Sequence, residues 1–373
     1  MLKKNFKFFL RKVFSNIFFF IYPKIKIINN TYLINRFYKI NLINLNNINY
    51  KIFRIINGRI YTNAVDDAAY IYKNFLIPEP SYQYRNSING NIKNNITLNT
   101  GTPKIIKKIA GNVFSLLSGG AANNNYGHWL TDVLPRIYLY NKFYSIKKID
   151  FFLVPNYEFD YQKDTLKILG IKKEKIISSK DWRHIQAKNL YATSHPCNHH
   201  PEKISDWNIK FLRNAFLKKK FIKNNIHFPK KIYLDRSEIN LSSRSNIIKY
   251  KNYRLLINED EIKCYLKKIG FEIIRPQNLR FIDQIKLFNN AEAVVSLYGA
   301  GLSNIMFCKP NTSILEIKSI KAGNEFLNIS KICSLKHTQI NLKPLFKSDI
   351  KQNGIMKCSI FKIQKALKNA KII

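Results

Sequence analysis

Hydrophobic positions in residues 112–317 alternate between short apolar runs and longer stretches with helical spacing. Short apolar runs are typical of buried strands, whereas apolar residues three or four positions apart indicate one face of a helix. The pattern predicts strands at 112–117, 150–155, 175–178, 188–193, 231–234, 271–274, 293–297 and 313–317. It predicts helices at 126–144, 161–169, 206–223, 259–269 and 281–289, and a terminal helix at 359–370. Such alternation is typical of a doubly wound α/β fold.

Residues 27–108 show a different pattern, in which short β-branched and aromatic runs are separated by Asn-rich and Gly turns. This pattern predicts small antiparallel strands. The polar stretches 81–102 and 194–205 are predicted to be loops. The domain prediction is a β-rich N-terminal region (1–110), two Rossmann-like domains (111–227 and 228–345) and a C-terminal helical segment (346–373). Two such domains facing one another would leave a cleft at the carboxyl ends of both sheets.

The N-terminal segment, residues 1–26, places several basic residues before a short apolar run at 13–22. That run is too short to span a bilayer, and no small-residue cleavage site follows it. We expect a basic, aromatic-rich helix lying on a membrane surface, with an ordinary first helix packed on the body as the alternative. The predicted location is cytoplasmic, peripheral on the inner face of the membrane.

The composition is strongly basic, with a formal net charge of +40 over 373 residues. Such a charge ordinarily points to nucleic acid or an anionic membrane. The excess is mostly lysine and accompanies frequent Asn and Ile, which share A/T-rich codons, so part of it reflects genome composition. No zinc-finger spacing or RNA-binding aromatic motif occurs. We therefore expect an anionic membrane surface or phosphorylated substrates, and no nucleic acid, as partners.

The cysteines are odd in number and widely spaced, which predicts reduced thiols in a cytosolic protein. Four residues of metal-ligating type lie close together in the sequence: His195, Cys197, His199 and His200. Zinc sites generally need two ligand pairs or a His-Glu-x-x-His helix, and neither is present. We therefore predict no metal, and a polar interdomain loop at this place.

A glycine turn follows the predicted strand 293–297, because the apolar run breaks at Gly299 and Gly301 before helical spacing resumes. Such a turn lets a ligand approach bare backbone, and the N-terminal end of the next helix favours an anion, typically a phosphate. The alternative is that the glycines only allow close packing of the helix on the sheet. Glu316 lies inside the next apolar run, 313–317, and a lone carboxylate at a strand's C-terminal end suits a ribose diol.

His128 and Asp132 lie four residues apart in a predicted helix, so they share one face. The start of a helix near a strand's carboxyl end is where a catalytic base belongs in this architecture. The alternative is that His128 caps or packs locally while Asp132 pairs with Arg136, also four residues away.

Six short motifs occur in sequence order between residues 112 and 317. They are N-Y-G-H-W-L-x-D-x-L-P-R (125–136), R-L-L-I-N-E (254–259), G-F-E (270–272), Q-x-x-x-F-x-x-A (284–291), G-A-G-L-S-N (299–304) and L-E (315–316). In combination they resemble glycosyltransferase family 61. The resemblance implies a GT-B arrangement, with an acceptor-side N-terminal domain and a nucleotide-sugar C-terminal domain. It also implies inversion at the anomeric carbon without an obligatory metal.

The resemblance also implies roles for individual residues. Asp132 is the preferred general base and His128 the competing choice, since the unperturbed pKa of histidine is nearer neutrality. The resemblance assigns the turn Gly299, Ala300, Gly301, Ser303 and Asn304 to the donor diphosphate, Glu316 to the ribose, and Arg236 and Arg254 to the leaving diphosphate. Gln284 is placed near the base or sugar, although its spacing fits a packed helix equally well.

One position departs from the family pattern, because Tyr298 stands where the family usually has histidine before the glycine turn. Tyrosine can donate a hydrogen bond to a phosphate or sugar but cannot be cationic. The main hypothesis is transfer of a sugar from a nucleotide donor, expected to be a UDP-sugar, to a capsular or other surface glycan, free or lipid-linked. The alternative, suggested by Tyr298, is a catalytically inactive glycan- or nucleotide-binding partner of a polysaccharide synthase complex.

Overall fold

The computed structural model describes the chain at residues 13, 18, 20–28, 38–62, 68–83, 91–117, 125–197, 204–222, 228–236, 253–350 and 352–373. The chain divides into two units, Met1–Leu212 and Arg213–Ile373. Each unit combines helices with a sheet that contains parallel strands. The α/β class predicted from the sequence is thereby confirmed.

The first unit contains a mixed sheet of ten strands among the described residues. They are β1 (Lys26–Ile27), β2 (Tyr38–Leu45), β3 (Ile48–Ile56), β4 (Arg59–Thr62), β5 (Ala68–Tyr72), β6 (Phe75–Leu76), β7 (Lys107–Ser115), β8 (Phe151–Val154), β9 (Ile176–Ser178) and β10 (His184–Thr193). Antiparallel pairs join β2 to β3, β4 to β5 and β5 to β6, in agreement with the pattern of residues 27–108. The long strand β10 pairs with β3 and β4 on one side and with β7 on the other. The N-terminal strands therefore belong to the same sheet as the strands that follow them.

Strands β10, β7, β8 and β9 are parallel neighbours in that order. The α-helices of this unit whose bounds lie within the described residues are α1 (Thr97–Thr100), α2 (Tyr126–His128), α3 (Pro135–Tyr140), α4 (Asp160–Ile168) and α5 (Asp206–Phe216), of which α5 contains the boundary between the units. Because β7 and β10 are parallel neighbours, their carboxyl ends open onto the same edge of the sheet. The chain reaches α2 after β7 and the segment 194–197 after β10, so both segments start from that edge.

Two predictions for the first unit are wrong in detail. The helix predicted at 126–144 consists of α2, a π-helical turn at Trp129–Val133, and α3. The interruption follows from Pro135, which has no N–H group to continue the α-helical bonds. The loop predicted at 81–102 contains α1, which is tied to the sheet because the buried Asn95 amide donates to the carbonyls of Ala68 and Ser81.

The second unit contains a five-stranded parallel sheet in the order β13-β11-β14-β15-β16 among the described residues. The strands are β11 (Lys231–Leu234), β12 (Arg254–Leu256), β13 (Glu272–Ile274), β14 (Ala293–Leu297), β15 (Ser313–Ser319), β16 (Lys336–Leu342) and β17 (Gly354–Met356), with β12 and β17 forming a separate parallel pair. The chain goes from β11 to one side for β13 and returns to the other side for β14. The strand order thus reverses between β11 and β14. In open α/β sheets, ligands bind at this kind of reversal, beyond the carboxyl ends of the strands.

The second unit has helices before its first strand, in the connections between its sheet strands and after its last strand. They are α6 (Lys219–Ile222), α7 (Glu259–Lys268), α8 (Phe281–Asn290), a 3-10 helix (Ala300–Phe307), α9 (Glu325–Ile332) and α10 (Ile360–Asn369). The predicted strands 231–234 and 293–297 and the helices 259–269 and 281–289 are confirmed, whereas the helix predicted at 206–223 is split into α5 and α6. No element was predicted for α9, β16 or β17. The core includes Val295 and Leu315 of the sheet, Leu266 of α7 and Leu367 of α10.

Across the described part of the chain, no helix has both the length and the apolar character needed to cross a membrane. The predicted membrane-surface helix at residues 1–26 lies mostly outside the described residues, so it stays a prediction.

A buried histidine lies in the first unit, where β10 begins. His184 is 1% exposed, and its Nδ1 is 2.7 Å from the carbonyl oxygen of Lys104. The rings of Tyr22 and Tyr61 contact its imidazole edge-on. Burial lowers the pKa of His184 to about 4, and Arg59 adds to this effect, against the hydrogen bond to Lys104. The folded first unit therefore holds His184 neutral.

We predict that His184 makes the first unit sensitive to acid. The pKa is lower in the folded chain than its ordinary value of 6.5, so the unfolded chain binds the proton more readily. The stabilisation is present above about pH 6.5 and is lost as the pH falls to about 4, at a cost of about 2–4 kcal/mol. Urea unfolding at several pH values, for wild type and His184→Asn, measures this. Asparagine can still donate to Lys104 but does not titrate, so identical pH slopes for the two proteins would contradict the prediction.

Candidate functional site

Asp132 lies in the π-helical turn of the first unit, Trp129–Val133, and its side chain is buried. In a regular helix the carbonyl of Thr131 would accept from the N–H of residue 135, but that residue is proline. The bonding shifts by one residue, so that the Leu134 N–H donates to the carbonyl of Trp129 at 3.1 Å. The Thr131 carbonyl accepts from Asn208 Nδ2 at 2.8 Å instead. This local change of pitch is of the kind often found at functional sites.

Asp132 lies at the centre of a polar cluster in which both carboxylate oxygens have partners. Oδ2 is 2.7 Å from Nδ1 of His128 and 3.7 Å from Nε2 of His195. Oδ1 accepts from the Thr131 hydroxyl at 2.8 Å and from the Cys197 thiol at 3.2 Å. The predicted proximity of His128 and Asp132 is thus what the structure shows.

The predicted alternative, a pair between Asp132 and Arg136, is present only in part. Arg136 Nε donates to the backbone carbonyl of Asp132 at 2.9 Å, and Nη1 donates to the carbonyl of Thr193 at 3.0 Å. Arg136 therefore connects the π-helical turn to the end of β10.

The cluster keeps Asp132 ionised. Burial by itself raises the pKa of this carboxyl, but His128, His195 and the hydrogen bonds outweigh burial and lower the pKa below its usual range. The Asp132 side chain is 3% exposed, whereas that of His128 is 37% exposed. A carboxylate that accepts at Oδ2 fixes the His128 proton on Nδ1, which leaves Nε2 as the basic nitrogen. The pair has the geometry of a base, His128, oriented by an acid, Asp132.

The segment predicted as a polar interdomain loop is buried at its start, from Ser194 to Cys197. Oxygen, nitrogen and sulfur atoms of Asp132, His195 and Cys197 lie within 4.8 Å of one another, a spacing that could hold a metal ion. His199 and His200, from the same sequence cluster, lie outside the described residues. However, the Cys197 N–H donates to Nδ1 of His195 at 3.2 Å, so Nδ1 is an acceptor and the ring proton lies on Nε2. A metal at Nε2 would need the opposite tautomer, which argues for hydrogen bonding at this place.

The second cluster lies in the second unit, where the strand order reverses. Arg236 follows β11, and Tyr298 and Gly299 follow β14, at the carboxyl ends of neighbouring parallel strands. Arg236 Nη1 donates to the carbonyl of Tyr298 at 2.5 Å, and Arg254 Nη1 lies 3.4 Å from the same oxygen. The structure therefore brings together the two arginines and the glycine turn that the sequence analysis had assigned to one site.

The arginines place two positive charges close together. Burial lowers the pKa of Arg254, and the charge of Arg236 lowers it further. The Arg254 guanidinium also lies over the ring of Tyr298, 5.1 Å from its centroid. Paired guanidinium groups at a half-buried place suit a divalent anion, because each can donate two parallel hydrogen bonds.

The glycine turn is shaped by these arginines. The backbone of Gly299 is extended, and a Cβ there would collide with Nη1 of Arg236. At Gly301, in contrast, the nearest atom to an added Cβ is Pro276 Cγ at 4.0 Å, so the space there is open. Gly299 therefore accommodates an arginine of the chain itself, and the open side of the turn is at Gly301. The helix predicted after the turn is the 3-10 helix Ala300–Phe307.

Of the remaining donor-site candidates near the turn, Gln284, Ser303 and Asn304 are buried, and two of them bond to each other. Asn304 Nδ2 donates to Gln284 Oε1 at 2.8 Å, and Gln284 Nε2 donates to the carbonyl of Leu279. Ser303 is buried beside them, whereas Ala300 is partly exposed. The amides thus fix the 3-10 helix to α8, in agreement with the packing alternative for Gln284, and their donor role stays a prediction.

Tyr298, which occupies the position where the resemblance leads us to expect histidine, is buried. Its hydroxyl donates to Glu325 and lies 3.2 Å from Gln352 Oε1. Burial raises the pKa of Tyr298 strongly, and Glu325 raises it further. The phenol is therefore neutral, with its proton directed to a carboxylate of the chain.

Glu316 lies in the middle of β15 and is fully buried, not at the strand's end as its position in the predicted strand had suggested. The difference arises because β15 continues for two residues beyond the predicted strand, to Ser319. Its Oε2 accepts from Gln339 at 2.8 Å and lies 3.0 Å from His337 Nε2. Its Oε1 is buried and has no hydrogen-bond partner among the described residues. A buried carboxylate oxygen without a donor is costly. Because Oε1 is fully buried, a ligand hydroxyl would reach it only after neighbouring side chains move.

Sequence reasoning missed several contributors to these clusters. His195 and Cys197 were weighed as metal ligands and then assigned to a polar interdomain loop, although the parallel neighbours β7 and β10 end at one edge. His337 and Gln339 were not considered at all, because β16 was not predicted.

Comparison with known proteins agrees with the geometry. The sequence profile of the family described as Glycosyltransferase 61 matches residues 126–315, just over half of the chain. The chain is similar to the EGF domain-specific O-linked N-acetylglucosamine transferase of Mus musculus, with 25% identity over 85 residues. The enzyme of the same name from Rattus norvegicus is 24% identical over 85 residues.

These alignments are short. Each covers 21% of this chain and 16% of the relative's length. The profile match is longer, and it runs from the start of α2, through the His128–Asp132 pair, the arginines and the glycine turn, to the residue before Glu316. The chain therefore belongs to glycosyltransferase family 61.

Proposed function

We propose that this protein is an inverting glycosyltransferase that moves a sugar from a nucleotide donor, a UDP-sugar, to a capsular or other surface glycan. The observation that carries the proposal is the pairing of Arg236 and Arg254 on one carbonyl at the sheet's reversal point, in a member of this family. The arginines would neutralise the diphosphate as it leaves, which is the role a divalent metal has in other enzymes. The proposal therefore includes no obligatory metal.

The donor would bind along the carboxyl edge of the second sheet. The diphosphate would lie against Arg236, Arg254 and the open side of the turn at Gly301. The ribose would donate a hydroxyl to Glu316 Oε1, which has no donor among the residues described. Both contacts use groups that an occupied site would satisfy better than an empty one.

The acceptor would be activated by His128 in the first unit. The acceptor oxygen forms a bond to the anomeric carbon from the face opposite the nucleotide, and the bond from that carbon to the diphosphate breaks. The acceptor proton passes to Nε2 of His128, while Asp132 holds the ring and stabilises the imidazolium. The geometry favours His128 over Asp132 as base because Asp132 is buried and strongly acidic.

The finer parts of the proposal concern architecture, sugar and location. We propose a GT-B enzyme, in which each Rossmann-like unit binds one substrate. The relatives named above are N-acetylglucosamine transferases, so UDP-N-acetylglucosamine belongs in the first donor panel. We also propose that the protein is cytoplasmic, peripheral on an anionic membrane surface, and acts on a lipid-linked glycan; the net charge of +40 supports the attraction to anionic lipid.

We predict that His128→Asn lowers kcat by about 100- to 10,000-fold and removes the acid limb of its pH profile, because the base is lost. Asp132→Asn should leave measurable transfer, with the acid limb moved to lower pH, because the neighbouring charge that favours imidazolium is lost. Both variants should still bind UDP. If His128→Asn retained the acid limb of the pH profile and Asp132→Asn lost all transfer, the result would show instead that Asp132 is the base.

We predict that Arg236→Gln and Arg254→Gln each weaken binding of UDP and of pyrophosphate by about 10- to 100-fold, because each loses charged hydrogen bonds to phosphate. Titration calorimetry with and without magnesium measures both ligands. Lys309→Gln is the matched control, since it removes one positive charge before β15, at the opposite edge of the sheet. Equal losses in all three variants would mean that only net charge matters.

We predict that Glu316→Gln weakens UDP binding about tenfold and leaves pyrophosphate binding unchanged. Gln339 keeps an oxygen at the Oε2 place, so the new amide nitrogen would stand at the place of Oε1. A donor there cannot accept from the ribose. If UDP and pyrophosphate respond equally, Glu316 does not contact the ribose.

Tyr298 distinguishes the proposed enzyme from a nucleotide-binding partner without activity. UDP binding that the arginine variants weaken, together with no turnover on any donor and acceptor pair, would support the inactive partner. Turnover that starts only in Tyr298→His would show that the tyrosine is the cause.

A further inference from the structure

The Cys197 thiol is a hydrogen-bond donor to Asp132. Its sulfur lies 3.2 Å from Asp132 Oδ1 and 3.6 Å from the carbonyl of Thr131, and that carbonyl already accepts from Asn208 at 2.8 Å. Burial raises the pKa of Cys197 well above its ordinary value, and the charge of Asp132 raises it further. The thiol therefore keeps its proton and directs it to the carboxylate.

The Cys197 thiol adds a second donor to Asp132 Oδ1, because the first donor, the Thr131 hydroxyl, has two possible acceptors. The Thr131 hydroxyl has one proton and lies 2.8 Å from Asp132 Oδ1 and 3.1 Å from the carbonyl of Gly127. When the hydroxyl bonds back to its own helix, Cys197 is the donor that stays on Oδ1. An ionised carboxylate buried to this extent needs such donors to offset its desolvation.

His195 faces the other oxygen. Its Nδ1 accepts from the Cys197 N–H at 3.2 Å, so Nε2 carries the proton and lies 3.7 Å from Asp132 Oδ2. The short segment from His195 to Cys197 thus places an S–H within hydrogen-bond distance of Oδ1, and an N–H near Oδ2 whose contact, at 3.7 Å, is electrostatic and longer than a hydrogen bond. His128 shares Oδ2 with His195, and Arg136 bonds to the Asp132 carbonyl.

We propose that Cys197 and His195 are positioning residues, which hold Asp132 as a buried carboxylate and thereby set the orientation and proton affinity of His128. Among the residues that the structure describes, the titratable groups that face this carboxylate are His128 from α2 and His195 and Cys197 from the segment after β10, while Arg136 from α3 bonds to the backbone carbonyl of Asp132. The catalytic part of the inference rests on the proposed function of His128. The hydrogen-bonding part is a property of the folded first unit.

The direction of the effect follows from charge. Each donor disperses the negative charge of Asp132 and reduces the attraction that a protonated His128 receives. Removing a donor should therefore raise the pKa of His128 by about half a unit or more. A merely structural role would lower stability without moving this pKa.

The test is a histidine NMR titration of the full-length protein, with the His128 signals assigned by their absence in His128→Asn. We expect Cys197→Ala and His195→Ala to raise the pKa of His128. Cys197→Ser and His195→Gln keep a donor near the same place and should restore it largely to the wild-type value. Cys308→Ala is the matched control, since it removes another buried thiol, in the second unit, and should leave the pKa unchanged.

Two results would overturn the proposal. One is an unchanged His128 pKa in both alanine variants with a native near-ultraviolet circular dichroism spectrum. The other is one equivalent of zinc in purified wild type that is lost in Cys197→Ser, which would make these residues metal ligands. If Cys197→Ala does not fold, the comparison of His195→Ala with His195→Gln decides.

The NMR readout also separates this proposal from the proposed function. If transfer is active, the acid limb of kcat should move upward with the His128 pKa in the alanine variants, at unchanged KM for the donor. If no donor and acceptor pair reacts while the His128 pKa still responds to the donors, the enzyme proposal fails and the positioning role stands.

Discussion

Parallel strand pairing is the constraint on which both clusters depend. Neighbouring parallel strands end at one edge of a sheet, so segments far apart in the chain begin side by side. In the first unit this applies to β7 and β10, after which come the His128–Asp132 pair and the His195–Cys197 segment. In the second unit it applies to β11 and β14, after which come Arg236 and Gly299. Neither cluster could form from antiparallel neighbours with short connections.

The two units have opposite electrostatic problems. The first unit buries the negative charge of Asp132. Hydrogen-bond donors from a helix, a π-helical turn and a loop surround this carboxylate and stabilise it. The second holds two guanidinium groups against one carbonyl, where burial and the charge of Arg236 raise the free energy of the Arg254 cation. Binding of an anion would lower that free energy in the second unit. The carboxylate of the first unit would instead favour a positive charge, such as the one His128 gains when it takes up a proton.

Much of the fold could be predicted from the sequence because short, mainly apolar runs mark strands such as β8, β11 and β14. β16 could not be predicted in this way. It is the last strand of its sheet, and polar side chains such as Lys336, His337 and Gln339 occupy most of its length. The spacing of His128 and Asp132 correctly predicted their contact, because it is local in a helix. The burial of Asp132 depends on Cys197 and Asn208, which are more than sixty residues away along the chain. One sequence contains no local signal for such contacts.

Pro135 contributes to the first cluster because it has no backbone N–H. The Thr131 carbonyl is available to Asn208 because the residue four positions later has no N–H to offer. Any other genetically encoded residue would restore that N–H, and with it a competing helical bond, whatever the size or polarity of its side chain. Similarity in side-chain size or polarity therefore does not predict which substitutions of Pro135 the cluster tolerates. An alanine there would be a more helical choice by propensity, and for that reason a poorer one for the cluster.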